Sequence, residues 1–251
     1  MTRQGFGIDI GGTGMKAAIV DLDTGALLSD RHRIATPRPA TPAAMAEVVR
    51  RLLDGHGWEQ PLGVAFPAIV RRGVVNLAAN IDESWIGVDA DRLFGEVCGH
   101  DVTLVNDADA AGLAEMRFGA GRGRDGVVLM LTFGTGIGSG LFVDGTLVPN
   151  TELGHLELDG VDAETRAAAV VREREGLGWK QWAPRVERYL RHVEMLFSPD
   201  LFIVGGGASK AAAKWLPLIS IDTEIVPAAM ANNAGIVGAA LVGAAGVSPA
   251  D

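Results

Sequence analysis

The stretch Ile8-Asp9-Ile10-Gly11-Gly12-Thr13-Gly14-Met15-Lys16 decides how the rest of this 251-residue chain is read. An apolar strand carries a carboxylate at its centre and then breaks into glycines, a threonine and a lysine. An acid inside a buried strand is costly without a partner. The backbone N–H groups of a glycine turn can converge on a phosphate, in a nest that side chains would obstruct. Thr13 adds a hydroxyl, Lys16 a positive charge, and Asp9 a ligand for Mg2+, direct or through water. The stretch is neither a P-loop, because Gly12 and Lys16 are wrongly spaced and no helix follows, nor the dinucleotide fingerprint. A polar structural hairpin is the competing reading.

Its plan returns later in the chain. "IDIGGTGMKAAIVDLDTGALL" (8–28) and "MLTFGTGIGSGLFVDGTLV" (130–148) both read as strand, Gly-Thr-Gly turn, strand, Asp/Gly turn, short strand. Gly12-Thr13-Gly14 aligns with Gly134-Thr135-Gly136, and 26–28 is the expected third strand of the first copy. A repeat at this scale implies two related α/β halves facing each other across a cleft. The expected halves are residues 1–106 with a C-terminal helix at 234–247, and residues 107–233. Between the turns, Thr41 and Pro42 open a helix that Gly55 closes, and "LGVAF" (62–66) and "VTLV" (102–105) read as buried parallel strands. Further helices are expected near 108–118, 162–175 and 179–197, and "LFIVGGG" (201–207) is a strand running into a glycine turn.

Three other polar groups punctuate this frame. Asn106 and Asp107 fall where a buried strand ends and a helix begins, the usual place for ligand groups in an open α/β sheet. Asp107 reads equally as a helix cap or as a general base kept ionised by the helix N-terminus. "NTELGHLEL" (150–158) sets Glu152 and His155 in a short polar segment, a donor and acceptor set of the kind sugar hydroxyls require. Gly205 and Gly206 either let backbone approach a nucleotide or simply make a tight turn. Trp85, Trp179, Trp182 and Trp215 are expected in the core or at subunit contacts.

Bulk properties narrow the function classes. A formal charge of −9 speaks against a nucleic-acid or anionic-membrane partner. One cysteine, Cys98, allows neither an internal disulfide nor a cysteine-rich zinc site, and suits a cytoplasmic protein. The apolar run 234–247 is too short to span a bilayer, and no leader is expected, since no apolar run backs Arg3.

Taken together, Asp9 to Lys16, Asn106-Asp107, Gly134-Thr135-Gly136, Glu152-Leu-Gly-His155 and Gly205-Gly-Gly207 resemble the ROK sugar kinases, of the actin/hexokinase-like (ribonuclease H-like) superfamily. Two departures stand out. The cysteine-rich zinc segment that usually follows E-x-G-H is missing, so no zinc site is expected, and Pro67-Ala68 replaces the usual Pro-Gly. The zinc-less form, the compact length and strings such as "NDADAAGLAEMRFGAG" are similar to the actinobacterial polyphosphate glucokinases. That resemblance implies transfer of a phosphoryl group from polyphosphate, sometimes ATP, to the 6-hydroxyl of glucose, and in some relatives of mannose, with Mg2+ and in a homodimer. It assigns the base to Asp107, the sugar to Asn80, Asn106, Glu152 and His155, and phosphate and metal to Asp9, Gly11, Gly12, Thr13, Lys16, Thr132, Gly134, Thr135 and Gly136. Gly205 and Gly206 join the donor side. A polyanion on an acidic chain also needs a basic path, for which Lys16, Arg117, Arg122, Arg124, Arg172, Arg174, Lys180 and Arg185 are the candidates. A strictly ATP-dependent kinase and a non-catalytic sugar sensor are the alternatives. The sensor is disfavoured by the presence of Asp107.

Overall fold

The computed structural model describes residues 2–77 and 81–250. They divide into two compact units, one built from the chain up to Ala114 together with the segment from Asn233 onward, the other from Glu115–Asn232. In the first unit, β1 (Gln4–Gly11) and β2 (Gly14–Asp21) form a hairpin, β3 (His32–Ile34) pairs with β2, and α1 (Pro42–Asp54) leads to β4 (Leu62–Phe66). A small ribbon of β5 (Ile69–Arg71) and β6 (Val74–Leu77) precedes α2 (Ala90–Cys98), β7 (Val102–Asn106) and α3 (Asp107–Phe118). The sheet order is β3-β2-β1-β4-β7, with β1, β4 and β7 parallel.

The second unit repeats this order. β8 (Val127–Phe133), β9 (Ile137–Val143) and β10 (Thr146–Val148) make a meander, followed by β11 (Glu157–Leu158), β12 (Val161–Asp162), α4 (Glu164–Ala167), α5 (Ala169–Arg174) and α6 (Trp179–Phe197). Then come β13 (Leu201–Gly205), α7 (Ala212–Trp215) and β14 (Glu224–Pro227). Its sheet runs β10-β9-β8-β13-β14, with β8, β13 and β14 parallel. The repeat read in the sequence is therefore a repeat of topology. Trp182, Trp215, Phe133 and Tyr189 centre this unit's core, all fully buried, with the Trp182 and Trp215 rings 5.0 Å apart. Trp85 is likewise fully buried, in the first unit's core.

Two local expectations need correction. The third strand of the first copy lies at 32–34, not 26–28, where Leu27 makes only an isolated bridge to Val20. In the second copy, Asp144-Gly145 turns the chain straight back onto β9, whereas the first copy detours and returns on the turn-proximal end of β2. The helix expected over 162–175 breaks at the extended backbone of Ala168, giving α4 and α5.

The chain ends on α8 (Ala234–Ala245), and the alternation in β1 and β4 shows why that helix is made of small residues. Phe6, Ile8 and Ile10 of β1, and Leu62, Val64 and Phe66 of β4, enter the core beneath α1 and α2. The opposite face presents Gly5, Gly7 and Asp9 on β1, and Gly63 and Ala65 on β4. There α8 lies almost on the backbone. A Cβ on Gly7 would overlap the carbonyl oxygen of Ile236, and one on Gly63 that of Ala239. Gly238 and Gly243 of the helix are equally confined, against Ala110 and Gly63. At the unit boundary the fully buried Glu115 accepts hydrogen bonds from the backbone N–H groups of Ala120, Ala229 and Met230, at 2.8, 3.0 and 2.6 Å.

Because α8 cannot retreat without uncovering the sheet, Gly63→Ala should cost about 3 kcal/mol, the upper range for overpacking. Denaturant unfolding measures it, and a loss under about 1 kcal/mol would show that the contact is adjustable.

Candidate active site

The first unit assembles its polar groups at the carboxyl ends of β1 and β7. Gly11 pairs with Gly14, so the β1–β2 turn is Gly12 and Thr13 alone. Thr36 Oγ1 donates to Gly11 O at 2.5 Å, and Arg33 Nη2 to Thr13 O at 2.6 Å, fixing the turn from below. At Gly12 a Cβ would meet no atom within 4 Å, and its φ is not in the left-handed region. The same holds at Gly134. Among the described residues, nothing in the fold requires glycine at either place.

Asp9 faces Lys16 across the hairpin, their carboxylate and ammonium 2.9 Å apart. The acid in the apolar strand thus has its partner. Gly235, in the first turn of α8, closes on the same carboxylate so tightly that a Cβ there would approach Asp9 Cγ to 2.9 Å.

At the end of β7 the capping question is settled by a neighbour. Asn106 Oδ1 accepts from the N–H groups of Ala108 and Asp109, at 2.9 and 3.2 Å. Its Nδ2 donates to Ala68 O at 3.2 Å. Asn106 is therefore the cap, and Asp107, half-buried, is the first helical residue. Among the described residues, one amide hydrogen of Asn106 is engaged, by Ala68 O, and the other has no partner. Pro67-Ala68 also gains a function here, since the Ala68 carbonyl holds that amide. Asn80 lies outside the described residues.

The second unit builds a different set. Thr132 and Phe133 end β8, Gly134 to Gly136 form the turn, and the N–H of Val170 ties α5 to the carbonyl of Gly134 at 3.0 Å. Gly205 pairs with Thr132, while Gly206, at φ +75°, packs on the backbone of Phe133, so glycine there is demanded by the fold. Ser139, buried in β9, donates to Thr151 O at 2.7 Å and accepts from Leu153 N at 3.0 Å. This staple, with Gly154 pressed on the carbonyl of Ile137, seats the Glu152–His155 turn.

Around it lies a network of one imidazole and three carboxylates. His155 Nδ1 lies 2.7 Å from Asp162 Oδ2, and Asp162 Oδ1 accepts from Glu164 N at 3.1 Å. Glu164 Oε2 accepts from Ile137 N at 3.0 Å. The potential ligand atoms of His155, Asp162 and Glu164 all lie within 4.8 Å of one another. Burial raises the Glu152 carboxyl above its ordinary value, Glu164 adds to the rise, and His155 opposes it. The bond to Asp162 raises His155, against the opposing effect of burial. Asp162 and Ser139 escaped the sequence reading. Ser139 did interrupt the glycine run, but Asp162 gave no signal.

Several candidate cations are already engaged. Arg124 pairs with Glu224 at 2.7 Å and Arg185 with Glu175 at 2.9 Å, while Arg172 lies 4.1 Å over the Trp179 ring.

Residues 5–176 match the ROK family. The chain belongs to the ROK family. Over 244 residues it is 54% identical to the polyphosphate glucokinase of Mycobacterium tuberculosis, covering 97% of this chain and 92% of that protein. The solved inorganic polyphosphate/ATP-glucomannokinase of Arthrobacter sp. strain KM superposes with a TM-score of 0.91 at 54% identity, over 95% of this chain and 97% of that one. A ROK family glucokinase from Streptomyces griseus, solved in complex with glucose and AMPPNP, gives 0.80 at 25% identity, over 96% and 99%. The α/β architecture, with its repeated sheet order, is the actin/hexokinase-like fold of ROK sugar kinases.

The His155–Asp162 pair has a pH signature. A histidine raised by a partner contributes stability that is full below its unfolded value, near 6.5, and is lost as pH rises through the folded value. The gap in melting temperature between wild type and Asp162→Asn should therefore be larger at pH 6 than at pH 9. A gap that is flat or widens with pH would refute the pairing.

Proposed function

We propose that this chain is a glucokinase that transfers the terminal phosphoryl group of inorganic polyphosphate, with ATP as a second donor, to the 6-hydroxyl of glucose, and also accepts mannose. The observation that carries the reading is the 54% identity, across nearly the whole chain, to a polyphosphate glucokinase.

The residues supply what phosphoryl transfer asks for, which is positioning and charge neutralisation. Glu152 and His155 bind the sugar, and the remaining amide hydrogen of Asn106 joins them. Asp107 accepts the proton of the attacking hydroxyl. Its carboxylate sits in the first turn of a helix that Asn106 already caps. The Gly12-Thr13 and Gly134–Gly136 turns and Lys16 hold the phosphates of the donor.

Mg2+ fits the donor set: Asp9 is a hard oxygen ligand, and magnesium sites commonly use one or two carboxylates together with substrate phosphates. When bound, the ion would neutralise charge on the transferring group. A cytoplasmic homodimer is the remaining part of the proposal, supported by the single cysteine and by the exposed Met195 and Leu196 on α6.

Purified protein with Mg2+ and glucose should form glucose 6-phosphate from polyphosphate, and from ATP as second donor. Product from ATP alone would turn the reading to a strictly ATP-dependent kinase, and product from neither would overturn it. Asp107→Asn should lower kcat by about a thousandfold, with calorimetric glucose affinity held within about threefold. Retained turnover would remove Asp107 as the base.

A further inference from the structure

The hairpin register continues the phosphate turn onto an edge strand. Asp9 pairs with Lys16, and Lys16 with Arg33, so three charged side chains stand in one row across β1, β2 and β3. Paired residues in an antiparallel ladder project from the same face. Within the row, Lys16 is neutralised by Asp9 at 2.9 Å, so the turn's own lysine brings little net positive charge to a polyanion.

Arg33 differs. Its guanidinium lies over Gly14, so closely that a Cβ there would overlap it, and its one hydrogen bond goes to Thr13 O. Among the described residues no carboxylate forms an ion pair with it. A guanidinium carries five N–H donors, so four remain beside the turn, on an exposed strand. Arg31 lies just before β3, two residues ahead of Arg33. It donates to Asn233 Oδ1, the residue that precedes α8. The positive end of α8 adds to the same field.

We propose that Arg33, with Arg31 beyond it, binds the part of the polyphosphate chain that lies past the transferred group, so that β3 is the track of the donor. This rests on the polyphosphate reading above. A row of guanidiniums pairs with successive phosphates through planar, charge-assisted hydrogen bonds. It takes no account of a nucleoside, and so favours a long polyanion over ATP.

Direct binding tests it without reliance on turnover. Calorimetry with long-chain polyphosphate should show Arg33→Ala weakened roughly tenfold, the loss typical of one charge-assisted contact, with pyrophosphate weakened less than threefold. Because a bound polyanion releases counterions, the slope of log affinity against log salt should fall by about one. Arg33→Lys, which keeps the charge, should recover most of the long-chain affinity. Equal losses for both ligands would make Arg33 a mere prop for the turn, and unchanged affinity for both would remove it from the track. Either result overturns the proposal. Polyphosphate that binds the wild type but yields no glucose 6-phosphate would count against the kinase reading and leave the track standing.

Discussion

Everything in the first unit depends on how closely α8 approaches the sheet. Helix and strand normally keep their distance because side chains intervene. Here Gly7 and Gly63 remove those side chains on two adjacent strands, and Gly238 and Gly243 remove them on the helix. The reward is more than compactness. Seated this low, α8 brings Gly235, in its first turn, onto the carboxylate of Asp9. An ordinary leucine-rich helix would ride higher and stand off from Asp9.

Two kinds of glycine follow, and they do different things. Those under α8, with Gly154 and Gly206, answer to neighbouring backbone or to a left-handed φ. Gly12 and Gly134 answer to neither, and both belong to the turns that repeat between the two units. A similar division of labour separates Asn106 from Asp107. Asn106 takes the capping bonds, and Asp107 is the first residue of the helix. Of the two readings of Asp107, the cap therefore passes to Asn106, and the base is the one proposed above.

The sequence revealed most where the signal is local. The repeated Gly-Thr-Gly turns, the α1 boundaries at Pro42 and Asp54, and the full span of α6 were legible because turn and cap chemistry is written within a few residues. What stayed hidden depends on contacts between distant segments. Glu115 reaches Ala229, 114 residues away, and no spacing announces that. Arg33 reaches the β1–β2 turn only because the chain detours before β3, where the repeat predicted a strand at 26–28. Asp162 carried no signal in the sequence, and only the fold sets it against His155. Other arginines, Arg124 and Arg185 among them, read as a basic path and turned out to be half of surface ion pairs, which contribute little to stability.

The claim at the centre of this picture is that the turn glycines are kept for the phosphoryl donor and not for the fold. The most direct measurement is the donor KM of Gly12→Ala. A methyl group there meets nothing among the described residues, so the melting temperature should hold while the KM for polyphosphate rises roughly tenfold or more, about 1.4 kcal/mol of lost interaction. An unchanged KM would contradict the claim.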